Sequence, residues 1–157
     1  MHNQIHTING SAFWNCRGIT SFGMEGLPAD LVNVGTAAFY NAGPGLKLTT
    51  LPAGLRTIES WTFAGCENVH IDTVGSADAP IVKIGTQAFS TCSDGSINTM
   101  AVYCINGGIE PNAFLDYKVN ISNLTIYSPE GYEDYDDWGL RLVENATITQ
   151  QTLATGG

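Results

Sequence analysis

One spacing constrains this chain more than any other. Phe13, Phe39, Phe63, Phe89 and Phe114 stand at steps of 26, 24, 26 and 25 residues, and only Phe22 lies outside the series. The residues just before them are Ala12, Ala38, Thr62, Ala88 and Ala113. Five positions before each Phe stand Ile8, Val34, Ile58, Ile84 and Ile109. Eight before stand Ile5, Leu31, Leu55 and Ile81, with Asn106 as the exception. Three after come Cys16, Ala42, Cys66, Cys92 and Tyr117. Several registers held at one period mean a repeat architecture, because a unit of this size cannot bury its apolar face alone.

Each unit combines two signals. Between the Phe blocks lie runs of strand character: "LKLTTL", "VHIDTV", "INTMAVY" and "ISNLTIY". Leu46 and Leu48 alternate with Lys47 and Thr49, and Val69 and Ile71 with His70 and Asp72, which is the period of a half-buried strand. The Phe block reads as one turn of helix, since Phe and the residue three on share a helical face. Gly35 and Gly85 precede two of these blocks and read as tight bends into them. Five coils at strand spacing, ~4.8 Å each, make a stack about 25 Å long.

Composition supports a folded chain. Of 157 residues 43% are hydrophobic and 13% charged, unlike a disordered segment. The formal net charge is -9, and the six Lys and Arg, at positions 17, 47, 56, 83, 118 and 141, form no cluster. Nucleic acid and anionic membranes are thereby excluded as partners, because both need a basic footprint. No apolar run approaches the ~20 residues of a membrane-spanning helix, so membrane insertion is not expected. "MHNQIHTING" has neither the basic start nor the apolar stretch of a leader.

The copies "IHTINGSAFWNC", "LVNVGTAAFYNA", "LRTIESWTFAGC" and "IVKIGTQAFSTC" resemble the BspA-type leucine-rich repeat of bacterial surface proteins. A fifth, "IEPNAFLDY", keeps Ile109 and the Ala113-Phe114 pair. "LTIYSPEGYEDYDDWGL" resembles the closing segment of such proteins, with Ser128 where Val is usual. The resemblance covers residues 5 to about 142. It implies an α/β right-handed solenoid of about five coils of ~25 residues, with a parallel sheet on one side and short helical turns on the other. Residues 1–127 are then the solenoid, and 128–157 a capping segment and tail. It also implies a surface or secreted location and binding in place of catalysis, with no shared catalytic residue or ligand to carry over.

The chemistry-bearing residues fit that expectation. Cys16, Cys66 and Cys92 share a position with Ala42 and Tyr117, so they read as core filler and free thiols; parallel side chains on neighbouring coils meet disulfide geometry poorly. Cys104, in "AVYCING", falls outside the register, in or just after a strand. No CxxC exists, so no zinc site and no cofactor is expected. His2, His6 and His70 occupy unrelated offsets, and no Ser-His-Asp grouping can be assembled from them. The run "PEGYEDYDDW" lacks the spacing of a calcium loop and reads as a cap whose Tyr132, Tyr135 and Trp138 cover the last coil. N-x-S/T at Asn9, Asn120, Asn123 and Asn145 carries little meaning in a chain this rich in Asn and Thr.

Two groups are candidates for binding. Lys47, Thr49, His70, Asp72 and Thr125 are outward strand positions expected to form rows across the sheet. Trp14 and Tyr40, each just after a repeat Phe, are expected to stack and to hold a sugar ring or a partner, or else to pack between coils. The leading function is a non-catalytic interaction module taking a host protein or glycan on its sheet face. A structural spacer comes second and a glycan-acting enzyme, with the acids of 130–137, last. Ile5 and Ile8 begin the array at an open apolar end. Upstream repeats, the tail after Leu142 or a second copy of the chain would cover it and Trp14, the last by self-association.

Overall fold

The computed structural model describes residues 5–18, 27–105, 107–129 and 135–153. The chain winds as a parallel β-solenoid with two sheets. The first is a narrow ladder of two-residue strands: β1 (Thr7–Ile8), β2 (Asn33–Val34), β3 (Thr57–Ile58) and β5 (Lys83–Ile84), in the order β1-β2-β3-β5. Its register aligns Ile8, Val34, Ile58 and Ile84, and a further bridge adds Ile109. These are the aliphatic residues five before each Phe. The second sheet holds β4 (Thr73–Val74), β6 (Gly95–Tyr103), β7 (Val119–Ser128) and β8 (Arg141–Thr152), in the order β4-β6-β7-β8. All pairs in both sheets are parallel.

The core is a set of ladders. Phe13 stacks on Phe39 with ring centroids 5.0 Å apart, Phe39 on Phe63 at 5.8 Å, Phe63 on Phe89 at 5.4 Å and Phe89 on Phe114 at 5.0 Å. Trp138, fully buried, closes the column 6.5 Å from Phe114. Leu31, Leu55 and Ile81 are buried in register, whereas Ile5, their counterpart in the first coil, is 43% exposed.

The Phe blocks are not helical. Each is a run of hydrogen-bonded turns in which alternate N–H groups serve different coils. Ala38, Tyr40 and Ala42 donate within their own coil to Gly35, Ala37 and Phe39 carbonyls. Ala37, Phe39 and Asn41 donate to Ser60, Thr62 and Ala64 of the next coil. A helix would turn every N–H back on its own chain. Here left-handed residues two before and two after each Phe re-aim the peptide planes: Ala37 at φ 55° and Asn41 at φ 54°, repeated at Ser11 and Asn15, Gln87 and Thr91, Asn112 and Asp116. Among the described residues the helical pieces are two 3-10 segments, Gly43–Gly45 and Tyr135–Trp138. No helix among them is long and apolar enough to cross a membrane.

Gly35 and Gly85 also differ from the bend expected of them, because neither has a left-handed φ. A Cβ on Gly35 would run into the backbone nitrogen of Gly10, and one on Gly85 into that of Ser60. Close approach between coils is what keeps them glycine. Thr62, the departure from the Ala series, is buried and donates its hydroxyl to the Glu59 and Gly35 carbonyls at 2.6 and 3.1 Å.

Residues 143–152 of the tail lie in β8, on β7 at the far end of the stack from the first coil. Between Ile121 and Asn123 the β7–β8 register slips, with Leu142 and Thr147 as successive partners and Asn145 left-handed at φ 64°. Beyond this bulge the pairing runs unbroken to Thr152.

Candidate functional site

From Thr99 in β6 and Asn123 in β7 onward, side chains alternate by face. Met100, Val102, Leu124 and Ile126 point into the core, so their neighbours point out. The register then builds outward rows across the sheet. One is Thr73, Ala101, Thr125 and Thr149; a second is Thr99, Asn123 and Thr147; a third is Tyr103, Tyr127 and Gln151. These rows carry hydroxyl, amide, methyl and phenol groups and no charge. Tyr103 and Tyr127 stack 4.3 Å apart at 7°. Desolvation, with Tyr127 beside it, raises the Tyr103 phenol above its ordinary pKa.

The sequence candidates do not share one row. Thr125 lies in the centre of the first. Lys47 and Thr49 are exposed three coils earlier, where a bridge between Leu48 and Val69 sets Thr49 level with His70. Asp72 is exposed and accepts a hydrogen bond from Thr73 Oγ1 at 3.1 Å. The row through Thr125 crosses this coil at Thr73, three positions past His70, an offset of about 10 Å. The coil pairs backward at Val69 and forward at Thr73, and Ile71 falls between the two ladders. Its N–H and C=O both bond the buried Tyr117 hydroxyl, at 2.8 and 2.7 Å. Burial pushes the pKa of that phenol up. Tyr117 sits in the cysteine slot of the repeat, but plugs this gap.

The structure joins His70 to Ser93, with Nδ1 2.7 Å from the hydroxyl. The pair borders a cleft of about 340 Å³ lined by Glu67, Asn68, Thr91, Ser93, Asp94 and Lys118. Among the described residues no carboxylate is hydrogen-bonded to the ring, and no group of three His, Cys, Asp or Glu could hold a metal ion.

The turn side carries a second feature. Trp14, 54% exposed, lies over Tyr40 at 6.3 Å and 18°, and Tyr40 meets Trp61 edge-on at 6.1 Å. Trp61 was not among the candidates, because it precedes its Phe by two positions whereas Trp14 and Tyr40 follow theirs by one. Tyr103 and Tyr127 were missed as well, although "AVY" and "TIY" close two strand runs 24 residues apart.

The cysteines are free thiols built into the stack. Cys66 Sγ donates to the Phe39 carbonyl at 3.1 Å and Cys92 Sγ to the Phe63 carbonyl at 2.9 Å, each reaching the preceding coil. Burial pushes the Cys66 and Cys104 thiols up to about 12 and Cys92 well above its ordinary range. In the acidic segment, Asp136 and Asp137 are exposed while Trp138 is buried and Tyr135 packs against the core. Tyr132 and residues 130–134 lie outside the described residues.

Comparison with known proteins supplies one match. The model of the BspA type leucine rich repeat region fits six copies over residues 1–122. No curated protein and no solved structure matches the chain. The sixth copy is one more than the five phenylalanine blocks. The matched span covers well over half of the sequence, and the ladders of Phe, aliphatic and Cys positions are its physical counterpart. The chain therefore belongs to the BspA-type leucine-rich-repeat family, a repeat-module family associated with interaction and not with catalysis.

Proposed function

We propose that this chain is a non-catalytic interaction module, at a cell surface or secreted, that receives a protein partner on the outward face of β4 and β6–β8. The observation that carries this reading is the run of uncharged rows centred on Thr125 and Thr149, on a chain whose net charge is -9. Broad rows on a sheet face suit a macromolecular surface better than a small molecule, which needs a concave pocket. Stacked tyrosines at one end supply the rigid aromatic anchors that protein interfaces favour. Lys47, Thr49, His70 and Asp72 form the flank of this face, and the charges of Lys47 and Asp72 set its partner's orientation.

Surface capture of purified extracellular-matrix proteins tests the proposal. A partner should bind the wild type and be lost on T125R or T149R, with circular dichroism unchanged. Binding indifferent to both variants, or no partner at micromolar concentration, would sink it. Protease accessibility on intact cells tests the location.

A further inference from the structure

We propose a second binding site, on the turn side, where the strip Trp14–Tyr40–Trp61 takes a neutral glycan. Ring geometry is the first argument. Tyr103 and Tyr127, at 4.3 Å and 7°, spend their faces on each other. Trp14 and Tyr40, at 6.3 Å, are offset, and Tyr40 and Trp61 meet edge to face at 66°. On the turn side Trp14 is 54% exposed, and Tyr40 and Trp61 are half-buried, each with part of its ring open to solvent.

The placement of Trp61 is the second argument. Trp61 is held at φ 61°, and the equivalent Ser11, Ala37, Gln87 and Asn112 are left-handed too, so the coil itself sets this backbone conformation. No other of these coils carries an aromatic ring at that position. Here it sets the indole against Tyr40.

The surroundings select the ligand. Beside the strip lies a groove of about 180 Å³, floored by Gly65 and walled by Tyr40, Trp61, Asn41, Ser90 and Thr91. No charged side chain lines it. The nearest cation, Arg17, bonds Asn41 and is neutralised by Glu67 at 2.8 Å. With a net charge of -9, the chain disfavours an acidic ligand. A pyranose offers what such a site takes: a C–H face for an aromatic ring and a rim of hydroxyls for polar walls.

Tryptophan fluorescence titrated with cellohexaose, laminarihexaose and mannohexaose tests the site, with a galacturonate hexamer as the acidic comparator. Trp138 is buried and serves as an internal constant. At least one neutral hexasaccharide should give a saturable change, and the galacturonate hexamer none. W14A and W61N should each weaken the binding about tenfold, the loss of one aromatic contact. W61N keeps the fold, since Asn112 already occupies the equivalent position. T125R should leave the glycan response intact while removing protein capture, so the two surfaces fail separately. The proposal is overturned by silence toward all three neutral sugars, by binding that survives both W14A and W61N, or by equal affinity for galacturonate. A sugar-independent dimer abolished by W14A would make the strip a self-contact and overturn it too.

Discussion

Single side chains here do two jobs, filling a ladder and closing a polar gap. Tyr117 is the sharpest case, since its hydroxyl serves both backbone groups of Ile71. Y117F keeps the ring and strands those groups, at a cost of about 1–3 kcal/mol in urea unfolding. Trp61 runs the other way. Relieving its left-handed strain by W61N should raise stability by about 1 kcal/mol, read as a higher urea midpoint. The buried thiols give a pH signature. Cys66 and Cys104 stay protonated up to about 12 in the folded chain, above their ordinary value of 9.0. Their folded pKa is raised, so their contribution is fully present below pH 9 and is lost as pH climbs toward 12. Thermal midpoints should fall across that window, and fall less in the C66A/C104A double variant. Iodoacetamide at pH 8 should spare Cys66, Cys92 and Cys104 until denaturant is added.

At the scale of the element, the phenylalanine column is graded. Phe39, Phe63 and Phe89 are each buried between two rings, while Phe13 is only partly covered. F63A should cost about 3–5 kcal/mol and F13A clearly less, by denaturant unfolding. Much of this level was legible in the sequence. A five-fold register of Phe, aliphatic and Cys positions reports burial directly, and the strand-type runs "INTMAVY" and "ISNLTIY" report β6 and β7. The short ladder through Ile8, Val34, Ile58 and Ile84 was hidden, because two residues cannot show a period of two. The Phe block looked helical because three-residue spacing is shared by a helix and by successive turns. What separates them is φ at Ala37 and Gln87, residue types with no left-handed preference, so the signal was absent. β8 was read as tail because its pattern, broken by the bulge at Asn145, lacks a Phe block to mark it. The binding candidates scattered for a related reason: the coil carrying His70 pairs backward and forward at different residues, and only three-dimensional register reveals that.

For the whole molecule, 15 acidic residues face only 6 Lys and Arg, so acidic charge is in large excess. Sodium chloride screens that self-repulsion, so the thermal midpoint should rise between low and physiological salt. The turn blocks hold a further consequence. Each coil gives N–H groups forward to the next, as Ser11 does to Thr36, while strand N–H groups reach back, as Gly35 does to Ile8. A coil is thus a two-way coupling with distinct front and back faces, like a link that locks in only one orientation. Duplicating one unit of 24–26 codons inserts a link with every coupling satisfied, whereas a partial unit strands both faces. Such a gene lengthens or shortens by whole repeats, and relatives of this chain should differ in length by steps of one coil.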